Sequence, residues 1–141
     1  MKTDTPQTVY LKDYTPPAFL VDTVDLDFVI ETGGTTVTAT LAMRRNPAVA
    51  AQPLVLDGDE LETLSVMVDG HQVPFSATAS TLTISDLPES FTLQTVVRID
   101  PDKNTRLSGL YRSADGYFTQ CEAQGFRRIT WFLDRPDVMS T

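Results

Sequence analysis

A polar block near the carboxyl end of this 141-residue sequence holds the side chains best suited to chemistry. Gln120 and Glu122 lie within it, Arg127 and Arg128 follow, and the pair Asp134–Arg135 comes soon after. A carboxylate in such surroundings has two uses: it binds a cationic group, or it forms an ion pair with a neighbouring guanidinium. The residue pattern alone leaves both uses open for Glu122.

Few residues are available for breaking bonds. The sequence has one histidine, His71, beside an Asp-Gly turn signal, and one cysteine, Cys121. A zinc-binding His-Glu-x-x-His helix needs two histidines, and a serine triad needs one placed between the nucleophile and a carboxylate. The basic residues nearest to Cys121 in sequence are arginines, which do not accept a proton. We therefore predict no catalytic residue and no metal ligand here, with His71 on a hairpin loop and Cys121 as a small buried side chain.

The elements that position this block are predicted to be β-strands, because apolar and polar residues alternate along most of the chain. A first hairpin joins residues 24–30 to 37–43 through a Gly33-Gly34 turn. A second hairpin runs through Asp69-Gly70, with Leu64 on its first strand and Phe75 on its return strand.

Further elements follow the same pattern. We predict strands at 81–84 and 91–99, a tight turn at 113–116, and a buried strand at 129–133. Helical periodicity is nearly absent. The sequence therefore predicts a single all-β domain over residues 1–141, mostly antiparallel and with little helix.

Composition limits the classes of partner. A net charge of −8 and a pI near 4.4 disfavour binding to nucleic acid or to an anionic membrane. A single cysteine favours a reducing compartment, and the start at residues 1–6 lacks the apolar stretch of a signal peptide. We therefore expect a cytoplasmic protein.

Two stretches carry a family resemblance: Thr-Gln-Cys-Glu-Ala-Gln-Gly-Phe-Arg at 119–127 and Asp-Arg-Pro-Asp-Val at 134–138. They resemble the end of the amino-terminal domain of aminopeptidase N, in the bacterial branch of the M1 zinc metallopeptidases. Leu-Ser-Gly-Leu-Tyr at 107–111 and Tyr-Leu-Lys-Asp-Tyr at 10–14 are similar to the same branch. The resemblance extends from about Val9 to Met139 and implies a saddle-like β-sandwich.

The resemblance implies a larger enzyme that removes amino-terminal residues from peptides, with zinc binding and substrate recognition supplied by different domains. Zinc is bound by a His-Glu-x-x-His helix and a later glutamate in a following catalytic domain, which this chain lacks. The glutamate that matches Glu122 binds the free α-ammonium group of the peptide substrate. The residue that matches Gln120 lines the pocket for the first substrate side chain.

Under this resemblance, residues 1–141 are the amino-terminal β domain of that enzyme, truncated at the carboxyl end. We expect this fragment to bind no zinc and to be inactive alone. Its partners are then peptides with a free amino terminus and the missing catalytic domain. Trp131 and Phe132 are candidates for an exposed apolar surface that the missing catalytic domain would cover.

Two alternatives remain. Glu122 can instead pair with Arg127 or Arg128 as a structural ion pair. The whole chain can instead be a stand-alone β-sandwich module that binds a peptide or protein without hydrolysing it.

Overall fold

The computed structural model describes residues 8–141, so the amino-terminal start discussed above lies outside the described residues. Within this range the chain forms ten β-strands and three short 3₁₀ turns, which confirms the all-β prediction. The strands are β1 Phe19–Glu31, β2 Gly34–Arg45, β3 Leu54–Asp57, β4 Glu62–Val68, β5 His71–Gln72, β6 Ser76–Ala77, β7 Thr81–Ile84, β8 Ser90–Ile99, β9 Gly109–Ser113 and β10 Gly116–Gln120. The 3₁₀ turns are Leu11–Asp13, Pro101–Lys103 and Phe126–Arg128.

The strands form three antiparallel sheets around one core. The largest has the order β1-β2-β8-β4-β5, the second has the order β3-β7-β6, and β9 and β10 form a two-stranded ribbon. Both larger sheets turn an apolar face inwards: Leu41 and Leu93 from one sheet and Leu56 and Leu82 from the other are fully buried in a single cluster. This arrangement confirms the antiparallel sandwich expected from the alternation of apolar residues.

The first predicted hairpin is present, with its turn one residue earlier than expected. Glu31 pairs with Gly34, so the two loop residues are Thr32 and Gly33. Gly33 has φ +84°, a left-handed conformation that glycine adopts without steric cost. The register is continuous except for a bulge between Val21 and Thr23.

The second hairpin is only partly as predicted. Its Asp69-Gly70 turn is correct, but the return strand β5 is two residues long and Phe75 lies outside it, exposed. Leu64 lies on the first strand, β4, as predicted, but its side chain is 53% exposed. A register shift between Thr63 and Ser65 is the reason, because a bulge moves the extra residue out of the alternation.

The predicted strand at 129–133 is wrong, although the segment is buried. Only an isolated bridge joins Phe132 to Asp57, and the surrounding residues follow a 3₁₀ turn as irregular chain. The expected exposure of Trp131 and Phe132 is also wrong, since these side chains are 2% and 8% exposed. Trp131 packs on Gly58, and its Nε1 donates a 2.8 Å hydrogen bond to Thr63 Oγ1. The segment therefore packs at the edge of the core, although it does not form a strand.

No helix formed by residues 8–141 has both the length and the apolar character that crossing a membrane requires.

Candidate functional site

The ribbon of β9 and β10 positions both predicted site residues. Gln120 is the last residue of β10 and pairs with Gly109 of β9, and Glu122 lies two residues further on, in the turn that follows. Both side chains are exposed. The structure therefore brings the amide and the carboxylate to the same end of the ribbon.

The turn that carries Glu122 is closed by its own backbone. The Gly125 N–H donates to the Cys121 carbonyl at 2.8 Å, and the peptide between Glu122 and Ala123 is cis. A Cβ at Gly125 would lie 2.6 Å from the Gln120 carbonyl oxygen and 3.0 Å from Ser108 Oγ, so a larger residue does not fit. The tight packing holds the Glu122 backbone against the end of β10.

Arg127, which follows this turn, connects it to the next segment through contacts with Asp134. Its Nε donates to Asp134 Oδ2 at 2.9 Å, and its Nη2 donates to the Asp134 carbonyl at 3.2 Å. Asp57 of β3 lies within 3.9 Å of the same guanidinium. With side chains 26% and 11% exposed, Arg127 and Asp134 form a largely desolvated pair, whose hydrogen bonds are stronger than those of a surface pair.

Arg128 forms ion pairs with two other carboxylates, those of Asp59 and Glu60. Its side chain is 8% exposed, and Nη2 lies 2.9 Å from Asp59 Oδ2. This contact is off the direction of an N–H bond, so it is an ion pair and not a directed hydrogen bond. Nη1 lies 3.5 Å from Glu60, and Arg106 approaches the same two acids from the surface.

Glu122 is therefore left without a cationic neighbour from its own turn. Across residues 8–141 its carboxylate takes part in no ion pair and no side-chain hydrogen bond, while Arg127 and Arg128 pair with other acids. The alternative in which Glu122 forms a structural ion pair with either arginine is wrong. An exposed and unpaired carboxylate on a closely packed turn can accept hydrogen bonds from an incoming cation.

Cys121 lies between the two site residues and is half-buried against the core. Burial raises the pKa of its thiol, and the negative charge of Asp134 raises it further. The thiol therefore stays protonated at neutral pH, which suits the predicted role as a small apolar side chain and not that of a nucleophile.

The donor set does not fit a zinc ion. Over residues 8–141 no group of three or more His, Cys, Asp or Glu side chains could hold a metal. His71 was predicted on the hairpin loop and is instead the exposed first residue of strand β5, which belongs to a different sheet from the ribbon that precedes Cys121.

A surface groove beside the turn was not predicted. Its volume is about 720 Å³, and its walls include Pro17, Val49, Val55, Gln124 and Leu133. These residues come from segments far apart in sequence, so no local motif could reveal it. Gln124 connects the groove to the turn that carries Glu122.

The chain is similar to bacterial proteins named aminopeptidase N. It is 46% identical over 143 residues to Aminopeptidase N of Caulobacter vibrioides, an alignment that covers 99% of this chain and 16% of that protein. This chain thus spans about one sixth of the length of the curated relatives it matches. No protein-family model matches the chain.

Solved structures show the same fold. Aminopeptidase A of Legionella pneumophila, in complex with aspartic acid, aligns with a TM-score of 0.86 and 28% identity over 93% of this chain and 16% of that one. An M1 zinc metallopeptidase of Deinococcus radiodurans, bound to a Tyr-Ser-Ala substrate, aligns with a TM-score of 0.71 over 88% of this chain and 31% of that one. At 18% identity the second match concerns the fold alone. By sequence and by fold, the chain matches bacterial aminopeptidase N proteins over nearly its whole length and over about one sixth of theirs.

Proposed function

We propose that this chain is the amino-terminal β domain of a zinc-dependent aminopeptidase and supplies the residue that recognises the free amino terminus of a peptide substrate. The unpaired carboxylate of Glu122 is the observation that carries the proposal. Its turn is packed against the end of β10, and the adjacent arginines are neutralised by other acids. Three curated relatives, which share 40–46% of the aligned residues, are named aminopeptidase N.

The charge of a chain end explains why a carboxylate can recognise it. A peptide that begins at the site differs from a continuous chain by one ammonium group. A fixed carboxylate makes charge-assisted hydrogen bonds to this ammonium and thereby sets the register of the peptide. Gln120, on the preceding strand end, is proposed to contact the first substrate side chain.

Chemistry at the peptide bond belongs to another part of the longer protein. A bound zinc ion would supply a Lewis acid and an activated water there. The residues of this chain bind and orient the substrate and hold no metal ligand set among those the structure describes. We propose the cytoplasm as its location, where the single thiol of Cys121 stays reduced.

The test replaces Glu122 by Gln in the longer protein and measures kcat/KM on an aminoacyl arylamide. Leaving the substrate ammonium without its partner costs about 2–5 kcal/mol, so kcat/KM should fall roughly thirtyfold to several thousandfold. Zinc content should stay unchanged. Asp115→Asn, at the exposed turn of the same ribbon, is the matched control and should leave kcat/KM unaltered.

Other outcomes would remove the proposal. Unchanged turnover in the Glu122→Gln variant would exclude Glu122 from amine recognition. A longer protein without any zinc-dependent aminopeptidase activity would instead favour a β-sandwich that binds a peptide or protein without hydrolysing it.

A further inference from the structure

The ribbon of β9 and β10 turns one of its faces away from the core. Leu110 of β9 is buried in the core, so the side of the ribbon that carries Leu110 faces inwards. Because side chains alternate along a strand, Tyr111 and its pairing partner Phe118 point to the opposite, outer face. Gln120 lies two residues beyond Phe118 on the same strand and therefore shares the outer face.

Two aromatic rings are stacked on this outer face. The ring centroids of Tyr111 and Phe118 lie 5.9 Å apart, with an angle of 25° between the ring planes. The Phe118 ring also lies over Gly116, where an added Cβ would be 3.0 Å from it. Phe118 is nevertheless 50% exposed. Its ring is therefore held by neighbours on both strands while half of the side chain remains open to contact.

The outer face carries no charge of its own. Its side chains are those of Tyr111, Ser113, Phe118 and Gln120. Arg112 belongs to the other face, where its guanidinium carbon lies 5.9 Å from the centre of the Tyr117 ring. An uncharged face with a half-exposed aromatic ring favours contact with an apolar group, because such contact removes apolar surface from water.

The position of Phe118 relative to Glu122 and Gln120 indicates which apolar group this is. Gln120 lies between the other two along the chain, and the Cα of Phe118 is about 7 Å from that of Gln120 at the spacing of a strand. With the substrate ammonium at Glu122 and the first side chain at Gln120, a long side chain continues along the strand to Phe118. The methyl group of an alanine ends before it.

We propose that Phe118, stacked on Tyr111, is the far wall of the pocket for the first substrate residue and selects long apolar side chains, such as leucine and phenylalanine, over alanine. The inference rests on the proposed function, because Glu122 and Gln120 set the position from which the side chain extends. Selection arises because a long apolar side chain covers the exposed half of the Phe118 ring and a short one does not.

Phe118→Ala in the longer protein tests the proposal, with kcat/KM measured on leucyl, phenylalanyl, lysyl and alanyl arylamides. The leucyl-to-alanyl ratio of kcat/KM should fall at least about tenfold, while the value for the alanyl substrate changes less than about twofold. Tyr117→Ala is the matched control, since Tyr117 is the adjacent aromatic residue, 38% exposed, on the other face of β10. It should leave the ratio unchanged. Phe118→Leu keeps an apolar wall and should retain most of the preference for leucine.

Three results would overturn the proposal. An equal loss on all four substrates would mean that Phe118 supports the fold or contacts another domain. A change of ratio in Tyr117→Ala as large as that in Phe118→Ala would assign the effect to the ribbon as a whole. A loss on the lysyl substrate as large as that on the leucyl substrate would indicate a cation–π contact instead of an apolar one.

Glu122→Gln is measured on the same four substrates. A loss in this variant together with an unchanged ratio in Phe118→Ala would refute the apolar wall and leave the proposed function standing. Full activity in Glu122→Gln together with a reduced ratio in Phe118→Ala would refute amine recognition by Glu122 and leave the apolar wall standing.

Discussion

At the scale of single residues, the availability of Glu122 depends on what its neighbours bind. Arg127 is close enough in sequence to neutralise it, but its guanidinium is held by Asp134 and Asp57. Arg128 is held by Asp59 and is almost completely buried. Both guanidinium groups are thus already paired with other acids, and the Coulomb attraction of the Arg127–Asp134 pair is strengthened by its partial burial. Glu122 is thereby left without an ion-pair partner among the described residues.

Cys121 offers a test of the electrostatic environment at the same scale. Burial and the charge of Asp134 both raise the pKa of the thiol, so less thiolate exists at neutral pH than for an ordinary cysteine. We expect iodoacetamide to alkylate Cys121 at pH 7.5 several-fold more slowly than it alkylates free cysteine. The rate should rise only as the pH passes above the range of an ordinary thiol. Urea-unfolded protein is the control, and equally slow alkylation there would contradict this explanation.

At the scale of elements, the end of the β9–β10 ribbon depends on contact with the 3₁₀ turn Phe126–Arg128. Gly109 has φ +76°, and a Cβ at this position would lie 2.6 Å from the Arg128 Cβ. Arg128 therefore packs directly against the residue that pairs with Gln120. This contact links the ion pairs of Arg128 to the placement of both site residues.

Gly109→Ala measures the strength of that contact. The substitution should lower the free energy of unfolding by about 2–4 kcal/mol, from the left-handed backbone together with overpacking against Arg128. Gly33→Ala is the matched control, since Gly33 has φ +84° but nothing within 4 Å of the added Cβ. It should cost only the backbone part, about 1–2 kcal/mol. Equal losses in urea unfolding would show that the Arg128 contact contributes little.

At the scale of the whole molecule, segments from the two ends of the chain are joined by one polar cluster. The Tyr14 hydroxyl donates to Asp137 at 2.9 Å, and Arg135 donates to the same carboxylate at 2.7 Å. Arg135 also donates to the Thr15 carbonyl. The hydrogen bond from Arg135, followed by that from Tyr14, lowers the pKa of Asp137.

The lowered pKa predicts a pH dependence of stability. A carboxylate whose pKa is lower in the folded state stabilises the fold above its unfolded pKa, about 3.9, and loses this effect as the pH falls through the folded value. Asp137→Asn should therefore lower the free energy of unfolding at pH 7 by up to about 1 kcal/mol. The difference from wild type should disappear below the folded pKa. Asp115→Asn should show no difference at any pH, and a constant difference for Asp137→Asn would refute the electrostatic origin.

The amino-acid sequence determined the local elements, because period-two alternation and turn chemistry act over a few residues. The strand at 91–99, the Asp69-Gly70 turn and the tight turn at 113–116 all follow from such short-range signals. Gln120 and Glu122 were also found in the sequence, through a family resemblance and not through spacing alone. Their roles in substrate binding stay predictions.

Only the tertiary structure decided which side chains pair, which are covered and which remain open. A bulge at Thr63–Ser65 removed Leu64 from the core, and the space between the sheets buried Trp131 without making a strand there. Acids more than sixty residues away along the chain, such as Asp59, compete for the arginines beside Glu122. The pairing of Thr141 with the edge of β1 likewise joins distant positions. Such contacts depend on the relative placement of elements, which local periodicity does not specify.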